Sequence, residues 1–324
     1  MTMSTVPTTQ APTTPTAVAP PRSFARRVWD SDVFFSFRRS PVTIVAALMT
    51  LVLVMSALLA PWIAPYDPFN PASLNLMDGF TPPMSTSMTG NYFLLGSDHQ
   101  GRDVLSTILY GSRVSLFVGG SATLFAIVLG VALGLTAGYR GGLTDAVIMR
   151  IADIQLSFPA ILIALLIFGI ARGIIPPSRQ ESMAVWVLIV AIGLSNWAQF
   201  ARTVRGATMV ERQKDYVSAA RIMGVNPLRI LLRHILPNVL GPVLVIGTIG
   251  LALAIIEEAT LSFLGVGVPP TQPSLGTLIR IGQQFLFSGE WWILFFPAVT
   301  LVLLALAVNL LGDWLRDALN PRLR

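Results

Sequence analysis

No cysteine occurs in the 324-residue chain, so a disulfide framework, a thiolate nucleophile and a cysteine-held metal are all excluded. Charge is nearly as scarce. Asp, Glu, Lys and Arg make up 12% of the residues against 53% hydrophobic ones, where a soluble domain carries roughly 25% charged residues. Water is therefore not the main solvent of this chain, and several uncharged intervals reach the roughly 18 residues that mark a membrane-spanning helix. The net charge of +6 comes without interleaved basic and aromatic residues, so it points to membrane topology and not to nucleic acid.

Residues 1 to 21 are rich in Thr, Pro and Ala and hold no Lys or Arg. They lack the basic and apolar regions of a signal peptide and are expected to form a disordered tail that the mature protein keeps. From residue 22 to 40 the composition turns basic and aromatic, as suits a helix lying at the headgroup boundary. Uncharged intervals then predict an all-helical membrane protein with six spans, at 40 to 66, 114 to 139, 154 to 171, 182 to 201, 235 to 256 and 291 to 312. The third is interrupted by Pro159 and is expected to start near Ala146, placing Arg150 and Asp153 as an interfacial pair on one face. The chain divides into that tail, the interfacial helix, a unit over 41 to 112 holding the first span and a long outer segment, a five-span core over 113 to 320, and a short tail over 321 to 324.

Six spans put both termini on one side. That side carries Arg22, Arg26, Arg27, Arg38 and Arg39, then Arg140 and Arg150, then Arg202, Arg205, Arg212, Lys214, Arg221, Arg229 and Arg233, and finally Arg316, Arg322 and Arg324. The other side has only Arg102, Arg113, Arg172, Arg179 and Arg280. Basic residues favour the cytoplasmic face, so both termini and the 202 to 233 loop are expected there.

In the second span Ala122, Ala126, Gly130, Gly134 and Gly138 recur every fourth position, a stripe that lets another helix approach closely. Ahead of it, Val104, Leu105, Ile108 and Leu109 fit one face of a short interfacial helix. The stretch from Gly96 to Asp103 has the glycine spacing of a phosphate loop. Arg102 and Asp103 stand where Lys and Ser or Thr are needed, however, and no strand precedes it. His99, beside Asp98 and Asp103, cannot join His234 in one metal site, because the two histidines fall on opposite sides of the bilayer. Glu257 and Glu258 close the fifth span as either an outer-interface terminus or part of a pathway or outer gate. Neither a catalytic constellation nor a cofactor or metal site can be assembled.

Residues 218 to 237, SAARIMGVNPLRILLRHILP, predict two short helices around a turn. Tyr216, Ala219, Ala220 and Met223 repeat at helical spacing, Gly224 fits a left-handed stop, Asn226 an N-cap and Pro227 the first helical position. Leu228, Leu231, Leu232 and Ile235 continue the period until Pro237 hands over to the fifth span. This stretch resembles the EAA loop of the integral membrane subunits of bacterial ATP-binding cassette importers, with Ala219, Ala220, Gly224, Leu236 and Pro237 in register. Ser218 replaces the Glu of that pattern and His234 its Ile, so no acidic contact is carried over to 218. The segments LGSDHQGRDVLSTILYGSRVSL and EEATLSFLGVGVPPTQPSLGTLI are similar to parts of the second permease subunit of the dipeptide, oligopeptide and nickel branch.

The resemblance implies a type I importer permease fold and a subunit of the bacterial inner membrane that is not itself an enzyme. It implies a homologous second permease, two cytoplasmic ATPases that hold ATP and Mg, and an external binding protein as partners. It also implies that Tyr216, Ser218, Ala219, Ala220, Met223, Gly224, Val225, Asn226, Pro227 and Leu228 carry the ATPase-docking surface, with close approach at Ala220 and Gly224. Peptides are the implied cargo, with nickel chelates or haem as other cargoes and an ion-coupled carrier as the rival mechanism.

Overall fold

The computed structural model describes residues 37–69 and 74–318. The expectations for the N-terminal tail, for nearly all of the interfacial helix and for the last residues lie outside them. Ser40 opens the first long helix, α1 (Pro41–Leu58), its hydroxyl accepting from the Thr43 amide and Pro41 taking an early position whose N–H has no helical partner anyway. A small outer segment follows, with an antiparallel hairpin of β1 (Ser85–Thr86) and β2 (Tyr92–Phe93). It is closed by a buried Arg102–Asp98 ion pair at 2.6 Å and by Trp292 Nε1 donating to the Ser97 carbonyl at 3.0 Å. Gly96 and Gly101, with φ of +85° and +76°, serve tight turns in this segment.

Asp103 then caps α2 (Val104–Arg140), accepting from the amide and hydroxyl of Ser106 at 2.8 and 2.6 Å. At 37 residues α2 is about 55 Å long, well beyond a hydrocarbon core of about 30 Å. The separate interfacial helix expected at residues 104 to 109 is therefore the first turns of α2. Likewise, a domain boundary at 112/113 cuts through continuous helix.

The third span also differs from expectation. It is a pair, α3 (Gly142–Leu156) and α4 (Ala160–Ile174), bent by 97°. Pro159 removes an amide and disfavours helical geometry at Phe158, which suffices to break the helix. The Gln155 side chain fastens the bend to α5 (Pro177–Glu211), donating to the carbonyls of Leu194 and Ser195 at 2.6 and 2.9 Å and accepting from Trp197 Nε1 at 2.7 Å. Asp153 pairs with Arg202 of α5 at 2.5 Å, not with Arg150. The helices α6 (Asp215–Ile222), α7 (Pro227–Ile230), α8 (Leu236–Phe263), α9 (Leu275–Gln283) and α10 (Trp292–Ala318) complete the bundle. Five of the described helices, counting the continuous run from Pro227 to Phe263 as one, are long and apolar enough to cross a membrane, and the bent pair makes a sixth.

The most extensive helix pair is α2 against α5. Its seam is built from small residues: Ala122, Ala126, Gly130, Gly134 and Gly138 are all buried on it. A Cβ on Gly130 would sit 2.7 Å from the Trp197 carbonyl, on Gly134 2.5 Å from the Ala201 carbonyl, and on Gly138 2.8 Å from the Arg205 carbonyl. The two backbones thus touch directly. Gly134→Ala should destabilise the purified protein by about 1–3 kcal/mol, since a rigid backbone has to give way. Gly120→Ala, on the same helix with nothing within 4 Å, should leave the melting temperature in detergent unchanged.

Candidate functional site

The loop between α5 and α8 is built around a packed core. Val217 and Ala220 of α6 are buried at 0% and 4% exposure, against Leu135 of α2, Val204 of α5, Ile230 of α7 and Ile235, Val239 and Val243. Arg212 Nη1 donates to the carbonyls of Gly138 and Tyr139 at 2.9 and 3.1 Å, satisfying the C-terminal end of α2. Arg221 lies 5.1 Å over the Tyr139 ring, and Arg205 makes a two-pronged pair with Asp145. These contacts seat α6 on the ends of α2 and α5.

The turn after α6 is fixed by local chemistry. Gly224 has φ +73° and donates to the Arg221 carbonyl, while the Val225 amide donates to the Ala220 carbonyl at 3.1 Å, a complete Schellman stop. Asn226 Oδ1 then accepts from the Leu228 amide at 2.8 Å with Pro227 next to it, so α7 starts capped. The chain does not break at Pro237. A π turn over Leu231–Ile235 carries the helix from α7 into α8, absorbing the hydrogen bond that Pro237 cannot make.

The stripe of Tyr216, Ala219, Ala220 and Met223 divides in the structure. Ala220 points inward, so its close approach is to the chain's own core, with Val217 as the second anchor. Ala219, Ser218 and Gly224 are exposed. Ile222 (88% exposed), Met223 (73%) and Leu228 (62%) present an apolar surface outward. Tyr216 is positioned at its edge, its hydroxyl donating to the Glu211 carboxylate and accepting from Asn238 Nδ2 at 3.1 Å. Burial, and then the Glu211 carboxylate, raise the pKa of that phenol.

Glu257 and Glu258 do not end a helix, because α8 continues to Phe263. Glu258 is fully buried. Its two oxygens accept from Ser115 of α2 and from Ser262, each at 2.7 Å, and Ser115 in turn accepts from the Leu275 amide at the start of α9. Glu257 is half-buried and accepts from Asn196 Nδ2 of α5 at 2.7 Å. Sequence spacing gives no signal for Asn196 or for Arg212, whose partners lie 61 and 74 residues away.

His99 stacks on Phe285 at 5.1 Å while Asp98 is taken by Arg102, and no metal-ligating cluster is found among the described residues. Burial lowers the imidazole pKa, as does the Arg102 charge, with Asp98 opposing.

Residues 130–324 match the family described as the binding-protein-dependent transport system inner membrane component, and residues 24–83 match the N-terminal transmembrane domain of oligopeptide transport permease C. The dipeptide transport system permease protein DppC of Haemophilus influenzae is 35% identical over 94% of this chain and 98% of its own length. The di/tripeptide permease DppC of Pseudomonas aeruginosa is 37% identical over 89% and 91%. Among solved structures, the MetNI methionine ABC transporter in its inward-facing form aligns with a TM-score of 0.52 at 22% identity, over 66% of this chain and 96% of that one, a likeness of fold.

Gly224→Val would force a β-branched residue to positive φ, costing about 1–2 kcal/mol at the turn. Limited proteolysis should then cut the 221 to 227 stretch several-fold faster, while Gly224→Asn, a residue that tolerates this conformation, should stay close to the parent.

Proposed function

Because this chain belongs to the family of binding-protein-dependent transport system inner membrane components, we propose that it imports small peptides as one of two homologous permeases, driven by two cytoplasmic ATPases and supplied by an extracytoplasmic binding protein. The observation that carries this reading is the construction of residues 215 to 234: a capped, internally packed element whose outer surface is apolar and uncovered. A surface of that kind on a rigid mount fits a groove in a partner. Tyr216, Ser218, Ala219, Met223, Gly224, Val225, Asn226, Pro227 and Leu228 form or frame the docking surface, and Ala220 supports it from beneath.

The permease supplies no ATP site of its own. ATP and Mg belong to the ATPases, whose closure on nucleotide presses α6. The continuous run from Pro227 through the π turn into α8 carries that displacement into the bilayer, switching the paired permeases between inward-open and outward-open states. The basic end of the bundle, with Arg205, Arg212, Lys214, Arg221, Arg229 and Arg233, lies in the cytoplasm together with both termini. The peptide cargo is inferred from the relatives, whose names specify dipeptides and di/tripeptides.

The absence of native cysteine gives a direct test. Met223→Cys, assembled with ATPases carrying single cysteines along their permease-facing groove, should crosslink to an ATPase with a yield that changes on adding ATP. Ala220→Cys, buried beneath the surface, should crosslink at most weakly. Failure of Met223→Cys to reach any ATPase in a folded assembly would overturn the docking role.

A further inference from the structure

Two adjacent glutamates inside one membrane helix have opposite surroundings. Both oxygens of Glu258 are satisfied in a fully buried pocket that ties α2, α8 and α9 together. Only one oxygen of Glu257 is held: Oε2 accepts from Asn196 Nδ2 at 2.7 Å, and Oε1 has no hydrogen-bond partner among the described residues. Asn196 is itself oriented, its Oδ1 accepting from Gln199 Nε2 at 3.2 Å, and Thr203 Oγ1 donates to the Gln199 carbonyl at 3.1 Å. Asn196, Gln199 and Thr203 fall on one half-buried face of α5, at i, i+3 and i+7.

The depth of this face makes it notable. Asn196 lies about 9 Å along the helix from Arg202 and about 22 Å from Glu181, the neighbouring charges on α5 in either direction. Half-exposed amides and a carboxylate at that depth do not face lipid, where each unsatisfied group is costly. Such residues face a bundle interior or a water-filled passage.

We propose that Glu257, Asn196 and Gln199 form a recognition station in the wall of the transport path for the cationic ammonium group of a peptide. Glu257 supplies the charge through its free oxygen. Asn196, whose Nδ2 also donates to the Ile192 carbonyl at 3.0 Å, holds that carboxylate in place, and Gln199, which steadies Asn196, offers hydrogen bonds to the adjoining peptide backbone. Glu258, one residue on, is a structural tie and not part of the station. The proposal rests on the peptide-import reading and adds to it the group that is read and the residues that read it.

Thr203→Cys, on the same face one turn from Gln199, serves as a reporter in the complete reconstituted assembly. Its labelling rate with a cationic ethylammonium methanethiosulfonate is compared with that of the anionic ethylsulfonate reagent, with and without ATP. The cationic reagent should react at least tenfold faster relative to the two intrinsic rates in one nucleotide state, and the preference should collapse in Thr203→Cys/Glu257→Gln but persist in Thr203→Cys/Glu258→Gln. A dipeptide with a free amine should slow labelling, and its N-acetylated form should not. A reporter that no reagent reaches in any nucleotide state, or a preference that Glu257→Gln leaves intact, would overturn the station. ATP-driven dipeptide uptake by the parent assembly, measured in parallel, separates the two readings. Uptake without charge preference at residue 203 removes the station alone, and absence of uptake removes peptide import as well.

Discussion

Direct backbone contact between α2 and α5 is the constraint on which the remaining architecture depends. Glycines 130, 134 and 138 let the two helices approach until only a hydrogen atom fits between them. Within a bilayer the gain is close van der Waals contact, because lipid tails supply no hydrophobic drive between helices. The seam has a consequence at each end. Towards the basic end it brings the last carbonyls of α2 within reach of Arg212, and so sets the platform on which α6 rests. Towards the other end it presents Ser115 to Glu258, so α8 and the start of α9 are referred to the same pair of helices.

The polar groups inside the bundle divide by how completely they are satisfied. Gln155 makes three hydrogen bonds to or from α5 and holds a broken helix in place, and Glu258 makes two through serines. Both have their polar atoms engaged, Glu258 fully buried and Gln155 half-buried, and engaged polar atoms are the ones that strengthen a membrane fold. In the half-buried chain of Gln199, Asn196 and Glu257, Asn196 is engaged at both ends while only one oxygen of Glu257 is held. In a chain where few charges enter the spans at all, that difference separates groups that hold the bundle together from a carboxylate with an oxygen to spare.

Local chemistry explains which features are legible in the sequence. Gly224, Asn226 and Pro227 act on atoms within a few residues, so the turn they form can be read from their order and is present in full. The stripe from Ala122 to Gly138 is readable for the same reason, since a helix fixes which side chains share a face. Helix ends are less legible because uncharged intervals find the apolar middle of a span while the backbone stays helical past it. Arg113 and the Glu257–Glu258 pair each interrupt such an interval without interrupting a helix. Pro159 is visible as an interruption, but the partners some 40 residues away to which Gln155 fastens the 97° bend are not. Val217 is hidden for another reason: in an eight-residue helix, two apolar stripes fit the same period, and only the packing against α2, α7 and α8 decides which one turns inward.

The continuity of the helix from Pro227 to Phe263 links the loop after α5 mechanically to the Glu257–Glu258 region. A full break at Pro237 would let the loop move while the span stayed still. The π turn instead keeps the backbone hydrogen-bonded across the proline, each bond spanning one residue more than in an α-helix, and such a turn is a place where a helix can kink without being severed. Pro242, further along α8, removes a second amide and marks another place where the helix can flex. Beyond it lie Gly250 and the Glu257–Glu258 pair, the first close to Phe200 and the second held by Asn196 on one side and Ser115 on the other. A displacement applied at α6 would meet the π turn and Pro242 and then a stretch anchored through Glu258. Glu257, fixed to α8 but hydrogen-bonded to α5, sits where relative movement of those helices changes its surroundings most directly.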